Sequence, residues 1–506
     1  MKSNNSENYL SSISLILKSS SIILIGTIVG KFLGIINQSI LARFLGPSDY
    51  GILALSIVFI QLSSAFIFLG LRSGITRYVS VYRLKNDFEG IRSIIFESLI
   101  IVFIMNLIVI NINLLFFQDF FSRFFSSNET TVLFLALPLY TFFYVFFSVS
   151  QAFEDTKFVV FSDLILKKVL RVAIFLVLYF FFGLKFFGAL VSLFIAFLIS
   201  TIFIIFVVHR NMISLKSIFI DSRRNEFRNL MRYSLPLSFS IIALAIFNQV
   251  DVLSLAYFYD SKDIGYYSVG MTLALLIGII PGTLTHMFFP KVTNLYQNND
   301  RSDSKRVLST LTKYSVFSSI ILLFMVLTNG KFLLQTIFGS EFLGAFNSLV
   351  ILSFGVFATY STGPTGTILN AADKTSLTMK SNITGGLAKL ILTVPFLFLF
   401  GPLGVALSTT ASMALRNILT LFYVKKYLKI YVFDASYLIL CFKFFIVSVL
   451  FLFINHSFEL STVVILFLTS ILSIFLIFSS WMSDFFTDLE KTLIVNALIS
   501  IRSKIW

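Results

Sequence analysis

The chain is 506 residues long, with 57% hydrophobic, 17% aromatic and only 12% charged residues. Soluble domains carry about 25% charged residues and disordered chains are poor in apolar ones, so both classes are excluded. The formal net charge of +15 would point to nucleic acid only if the basic residues gathered on a solvated domain, so their positions decide its meaning.

A bilayer core about 30 Å thick is crossed by a helix of about 20 apolar residues. About 14 runs reach that length. In chain order they cover 17–43, 51–72, 93–117, 131–152, 159–183, 186–208, 233–258, 264–287, 307–328, 345–370, 382–400, 403–424, 436–455 and 460–480. They are continuous and do not alternate apolar with polar, which excludes barrel strands, so an all-α integral membrane fold is expected. The first run is too long for a secretory signal and lacks a small-residue cleavage pattern.

Basic residues gather after the even-numbered runs. Arg72, Arg77, Arg83, Lys85 and Arg92 follow the second; Arg210, Lys216, Arg223, Arg224, Arg228 and Arg232 follow the sixth; Lys425, Lys426 and Lys429 follow the twelfth. The opposite side holds Arg43, Arg123, Lys185, Lys262 and Lys331. This asymmetry is expected of an even number of spans with both termini in the cytoplasm. The charge is therefore topological, adds affinity for anionic membrane lipids, and implies no nucleic-acid partner.

The two halves repeat. LARFLGPSDYG at 41–51 aligns without a gap on LAYFYDSKDIG at 255–265, matching Asp49 with Asp263 and Gly51 with Gly265. The same offset of 214 places Arg77 on Lys291 and Tyr82 on Tyr296. A slightly larger shift lays LRVAIFLVLYFFFG at 170–183 on AKLILTVPFLFLFG at 388–401, matching Arg171 with Lys389 and Gly183 with Gly401. Each copy has six spans, an even number, so the repeats are parallel, related by an axis along the membrane normal. The expected organisation is an N-terminal six-helix lobe (1–208), a cytoplasmic linker (209–232), a second six-helix lobe (233–430), and two extra helices with a cytoplasmic tail (431–506).

Ionisable residues at membrane depth cost about 2.5–3.5 kcal/mol on insertion scales and mark functional positions. Thr27, Lys31, Gly34 and Gln38 share one stripe of the first helix, with Lys31 near mid-depth. Asn248 and Asp251 share a face of the seventh, and Asp163, Lys167 and Arg171 form a four-residue ladder in the fifth, partly self-neutralising. Lys389, Arg416 and Lys443 lie near the cytoplasmic ends of later helices. Embedded acids are few, Asp251 and Glu97, so a net positive seam is expected, suited to phosphate or pyrophosphate. The candidate substrate-binding residues are Lys31, Gln38, Arg77, Arg171, Asn248, Lys389 and Arg416. Asp251 is the candidate for coupling to a proton or sodium, alternating with Lys31.

Blander readings compete. Lys31 and Asp251 would equally make a structural ion pair; Arg171, Lys389 and Arg416 would equally snorkel to headgroups; Arg72, Arg77 and Lys291 would equally be stop-transfer charges. TYSTGPTGT at 359–367 reads either as a broken helix lining a substrate path or as a packing kink, and Pro281 and Gly282 raise the same choice in the eighth helix. Asn128-Glu129-Thr130 fits a glycosylation sequon on an external loop.

No enzyme signature stands in a suitable context: a phosphate-binding lysine loop, HExxH and G-x-S-x-G are all missing. One cysteine, Cys441, and three scattered histidines, His209, His286 and His456, imply neither disulfides nor a metal, and no cofactor is expected.

Several segments carry a family resemblance: ARFLGPSDYGILALSIVFIQ, LGLRSGITRYVSVYR, SDLILKKVLRVAIFLVLYFFFGLKFFGAL, FPKVTNLY and SNITGGLAKLILTVPFLFLFGPLGVALSTT. Together they resemble polysaccharide biosynthesis proteins of the oligosaccharide flippase (Wzx-like) type, in the MOP flippase superfamily with MATE transporters and the lipid II flippase. The resemblance implies a MATE/MOP-like fold of two six-helix lobes around a V-shaped cavity, with two extra C-terminal helices. It also implies transfer of polyprenyl-linked sugars between leaflets of the cell membrane, by rocking of the two halves. The family's cavity cations map onto Lys31, Arg77 and Arg416. Expected partners are the lipid-linked oligosaccharide, membrane lipids, and a glycan polymerase or glycosyltransferases. The alternatives are a MATE-like exporter of small amphipathic molecules and a non-transporting accessory of a glycan assembly complex.

Overall fold

A computed structural model describes residues 2–214, 226–285, 301–429, 435–458 and 462–482, with Thr293, and most of their side chains from Val29 onward. The expectations for Thr27, His286, Lys291, Tyr296 and the linker residues Lys216, Arg223 and Arg224 fall outside the described side chains. The described residues are helical, with no strand among them. Among the described residues, ten helical stretches are long and apolar enough to cross a bilayer.

The first two expected runs are two helices within Lys2–Phe68 that meet at Gly46, whose backbone is not helical (φ 75°, ψ 174°). The break has a plain cause: Pro47 has no N–H and disfavours helical backbone before it, and glycine tolerates the positive φ that results. A second left-handed turn at Leu69 and Gly70 leads into Leu71–Leu84. Phe88–Phe116 follows, started by Asp87, whose carboxylate accepts the Gly90 N–H at 3.0 Å. Ser127–Ala152 comes next, its first turn tied by Glu129 accepting the Ser126 N–H at 2.7 Å. The expected fifth run is divided into Thr156–Val160, a π-helical turn Phe161–Leu166, and Lys167–Phe182.

Two compact units are distinguished. The first comprises Met1–Ser268 with Lys389–Val405, and the second Val269–Ala388 with Ala406–Trp506. In the first, Ser127–Ala152 and Lys167–Phe182 pack on Phe186–Asn211. The buried Asn106 donates to Thr141 at 2.8 Å, and Phe59 and Phe121 meet edge to face at 4.9 Å. The outward-facing residues of Phe88–Phe116 include Ile100, Phe103, Ile104, Leu107 and Ile108, an exposed apolar surface that only lipid can solvate.

The aligned glycines of the repeat have related structural duties. Gly183 and Gly401 end their helices with nearly equal left-handed angles, φ 66° and 63°. Gly51 and Gly265 face one another. A Cβ on Gly51 would strike the Ser261 carbonyl, and one on Gly265 the Pro47 carbonyl. In the same unit Arg123 donates to the Tyr257 and Tyr259 carbonyls at 3.1 and 3.3 Å, satisfying the end of Glu226–Phe258.

The second unit is built on Arg301–Ile337, which packs against Phe346–Ser361, Ala435–Phe458 and Thr462–Met482. Phe324 contacts Phe444 and Phe451 edge to face, and Asn329 donates to Thr469 at 3.1 Å. The helix of the TYSTGPTGT segment breaks at Thr362–Pro364, with Gly363 left-handed against Thr312. The Gly366 carbonyl then accepts from Thr378 at 3.4 Å. In the eighth expected run Ser261–Ala274 tightens to a 3-10 turn at Leu275–Gly278, where Gly278 gives room to the Tyr360 ring.

Candidate functional site

The first unit contains most of the candidate residues. Asp251, on Glu226–Phe258, is 4% exposed, and Lys389, on Thr375–Phe400, is 8% exposed. The lysine ammonium lies 2.7 Å from one carboxylate oxygen of Asp251 and donates to the other at 2.8 Å. The Tyr267 hydroxyl donates to the same carboxylate. Lys31, by contrast, is exposed on the first helix. The reading that pairs Lys31 with Asp251 is therefore corrected: among the described residues the ion-pair partner of Asp251 is Lys389, which reaches both of its oxygens. Asn248, three residues before Asp251, is exposed.

Arg171 differs from Lys389, with which the repeat aligns it. Its Nε and Nη2, the parallel fork that grips a carboxylate or phosphate, are enclosed and make no hydrogen bond. Its electrostatic neighbour is Tyr50, whose hydroxyl donates to Gln38 Oε1 at 3.3 Å. The repeat explains the difference. The offset of 214 that matches Gly51 with Gly265 places Asn37 on Asp251. Asn37 is buried and its amide donates at 3.0 Å to the Lys168 carbonyl, on the helix that carries Arg171. An amide in the first half stands where a carboxylate stands in the second, and it has no charge with which to neutralise its cation.

The rest of the fifth-helix ladder is self-contained. Lys167 and Asp163 pair at 2.5 Å, and the Tyr144 hydroxyl donates to Asp163 at 3.1 Å. The half-buried Arg72 guanidinium covers the Tyr144 ring at 4.3 Å, a cation–π contact beside the Asp163–Lys167 pair. Asp163 sits in the π-helical turn Phe161–Leu166, a feature often found at functional sites. Arg77 is exposed and stacks on Tyr233 at 4.3 Å.

In the second unit Arg416 packs its stem on Gly385, with Tyr360 as an electrostatic neighbour. Gly385 also presents its carbonyl to the buried Ser412 hydroxyl at 2.7 Å. Two partners and one buried cation escaped the sequence reading. Tyr267 and Tyr144 are aromatic in a chain rich in aromatics, and only a carboxylate needing donors, at Asp251 and Asp163, signals them. Lys313, 8% exposed in Arg301–Ile337, is a further buried cation that the charge census passed over.

The sequence pattern of the family described as "Polysaccharide biosynthesis protein" matches residues 16–295, more than half of the chain. A curated relative, "Probable low-salt glycan biosynthesis flippase Agl15" of Haloferax volcanii, is 24% identical over 203 residues, 40% of this chain. The match spans 43% of that relative's length. Among solved structures, lipid II flippase MurJ in an inward closed conformation is similar with a TM-score of 0.69 at 16% identity, covering 90% of this chain and 98% of that one. An inward-facing multidrug resistance MATE family transporter of the MOP superfamily gives 0.68 at 13% identity, covering 79% and 94%. These likenesses give the fold, an all-α membrane fold of MOP type. By the match over most of its first 295 residues, the chain belongs to the polysaccharide biosynthesis protein family.

Proposed function

We propose that this protein flips a polyprenyl-(di)phosphate-linked oligosaccharide from the cytoplasmic to the outer leaflet of the cell membrane for surface polysaccharide or glycan assembly. One observation carries the reading: in a chain of this family, Arg171 and Lys389 hold positive charge inside apolar helices, and the fork of Arg171 has no resident anion. Point charges from lysine and forked donors from arginine bind phosphate oxygens. A cation-exporting site would be lined instead by unneutralised carboxylates, and Asp251 is neutralised by Lys389.

The proposed path uses alternating access of two lobes, 1–208 and 233–430, joined by the linker 209–232, with residues 431–506 outside the repeat and both termini in the cytoplasm. The diphosphate is drawn to Lys31, Arg77, Arg171, Lys389 and Arg416, while Gln38 and Asn248 offer amides to the sugar. The lipid chain stays in the bilayer. Asp251 takes part in coupling the cycle to an ion gradient. A glycan polymerase or glycosyltransferases would supply and consume the substrate.

The test is transfer of a fluorescent lipid-linked oligosaccharide in proteoliposomes, paired with complementation of a flippase-deficient strain. Normally inserted Lys31→Ala and Arg171→Ala variants are expected to lose most activity. Export of cationic drugs without movement of the labelled glycan lipid would defeat the reading in favour of a MATE-like exporter.

A further inference from the structure

The buried Lys389–Asp251 pair is poorly explained as a fastening. Burying each ion costs several kcal/mol even after relaxation, and apolar residues of similar volume often hold helices together as well or better. The fold itself shows that a carboxylate is dispensable at this place, because its repeat equivalent is Asn37, beside a helix whose cation, Arg171, has no resident carboxylate on Nε or Nη2. The carboxylate therefore distinguishes the second half from the first, and its effect is to occupy the cation.

The geometry of that occupation resembles phosphate binding. The Lys389 ammonium hydrogen-bonds one Asp251 oxygen at 2.8 Å and lies 2.7 Å from the other, close enough to both for two oxygens of a phosphate to take their places. The Tyr267 hydroxyl is a second donor to the carboxylate. If the lysine leaves, Asp251 keeps that donor and is not stranded without a hydrogen bond. The lysine also sits on a continuous helix whose local sequence weakens its hold on the backbone. Gly385 and Gly386 precede it by about one turn, Thr393 bonds back to its carbonyl at 2.7 Å, and Pro395 removes a backbone donor above it.

We propose that Asp251 is a resident surrogate for the substrate phosphate on Lys389, and that transport exchanges one anion for the other on the same ammonium. This inference rests on the flippase reading above and adds a means of release. A permanently open lysine would hold a diphosphate too long, whereas a built-in competitor lets the ligand enter and leave. Arg171, with no competitor on its fork, serves as the constant contact, and Lys389 as the exchangeable one.

The test is binding of farnesyl pyrophosphate to the purified full-length chain in nanodiscs by calorimetry, with inorganic pyrophosphate as a second probe. Asp251→Asn, which gives the second half the residue of the first, is expected to bind both probes about tenfold tighter, a gain of about 1.4 kcal/mol, and to turn over more slowly. Lys389→Gln is expected to bind at least about tenfold more weakly. Tyr267→Phe leaves the carboxylate more dependent on the lysine, so its affinity should fall, the opposite direction from Asp251→Asn. A purely structural pair would not produce opposite signs at two partners of one carboxylate. Wild-type or weaker affinity in an Asp251→Asn protein that elutes as a single species overturns the proposal; should that variant not fold, unchanged or tighter binding by Tyr267→Phe overturns it. No binding by the wild type would instead defeat the flippase reading itself.

Discussion

An enclosed guanidinium with two unpartnered donors is a standing burden on the folded state. Leaving a buried donor without a partner costs about 1–3 kcal/mol, and more where the group is charged. Arg171→Leu is therefore expected to raise the thermal unfolding midpoint of the purified protein while abolishing glycan-lipid transfer, measured by a melting scan beside the vesicle assay. Lys389→Ala should act in the opposite sense on stability. It removes the counter-ion of the buried Asp251 and leaves its charge with the Tyr267 hydroxyl alone, a loss of about 3–5 kcal/mol, which Lys389→Met combined with Asp251→Leu should largely recover in the same scan. Asp251 and Lys389 were each legible in the sequence as charges at membrane depth. Their pairing was not, because they lie 138 positions apart and nothing in either local pattern selects Lys389 over Lys31. The equivalence of Asn37 and Asp251 was latent in the repeat, but it acquires meaning only once the neighbours of each are known.

Among the elements, glycines divide into two kinds with different penalties. Gly51 and Gly265 approach the backbone of one another's helices, where the obstructing atoms are carbonyls that cannot rotate aside. Gly51→Ala and Gly265→Ala should each destabilise by about 1–3 kcal/mol through overpacking. Gly183 has open space around it and needs only its left-handed angle, so Gly183→Ala should cost about 1–2 kcal/mol from backbone strain alone. Comparing the three in one melting series separates collision from conformation. Helix positions were readable from run length, since only an apolar stretch of about 20 residues satisfies the bilayer. Joints were harder. The gap between the first two runs, 43–51, leaves their junction open, and the structure places it at Gly46-Pro47, where the positive φ of Gly46 interrupts the helix and Pro47 opens the next one. The π-helical turn at Phe161–Leu166 has no compositional mark at all.

For the whole molecule, the proposed sidedness rests on the distribution of lysine and arginine. It can be checked with cysteine labelling, for which Cys441→Ser provides a cysteine-free background. Asn128→Cys, at an exposed position in the first turn of Ser127–Ala152, should react with a membrane-impermeant maleimide on intact cells, and Lys426→Cys only after permeabilisation. Composition and repeat made the membrane class and the family resemblance visible early. What the sequence concealed was electrostatic compensation. The Asp163–Lys167 pairing stood in the sequence as a four-residue ladder, whereas the neutralisation of Lys389 by Asp251 did not, and with both lysines paired Arg171 is an enclosed cation with an unmet fork.

The clamp from Arg123 gives the protein a handle that water-borne reagents can reach. Its exposed guanidinium ties off the carbonyls of Tyr257, in the last turn of Glu226–Phe258, and of Tyr259, just beyond it, so any stroke that lifts that helix tip must first unfasten both bonds. On the proposed orientation this tether faces the cell exterior. An arginine-selective dicarbonyl added outside would then loosen the rim without crossing the lipid, and the speed of glycan delivery would become adjustable from the surrounding medium.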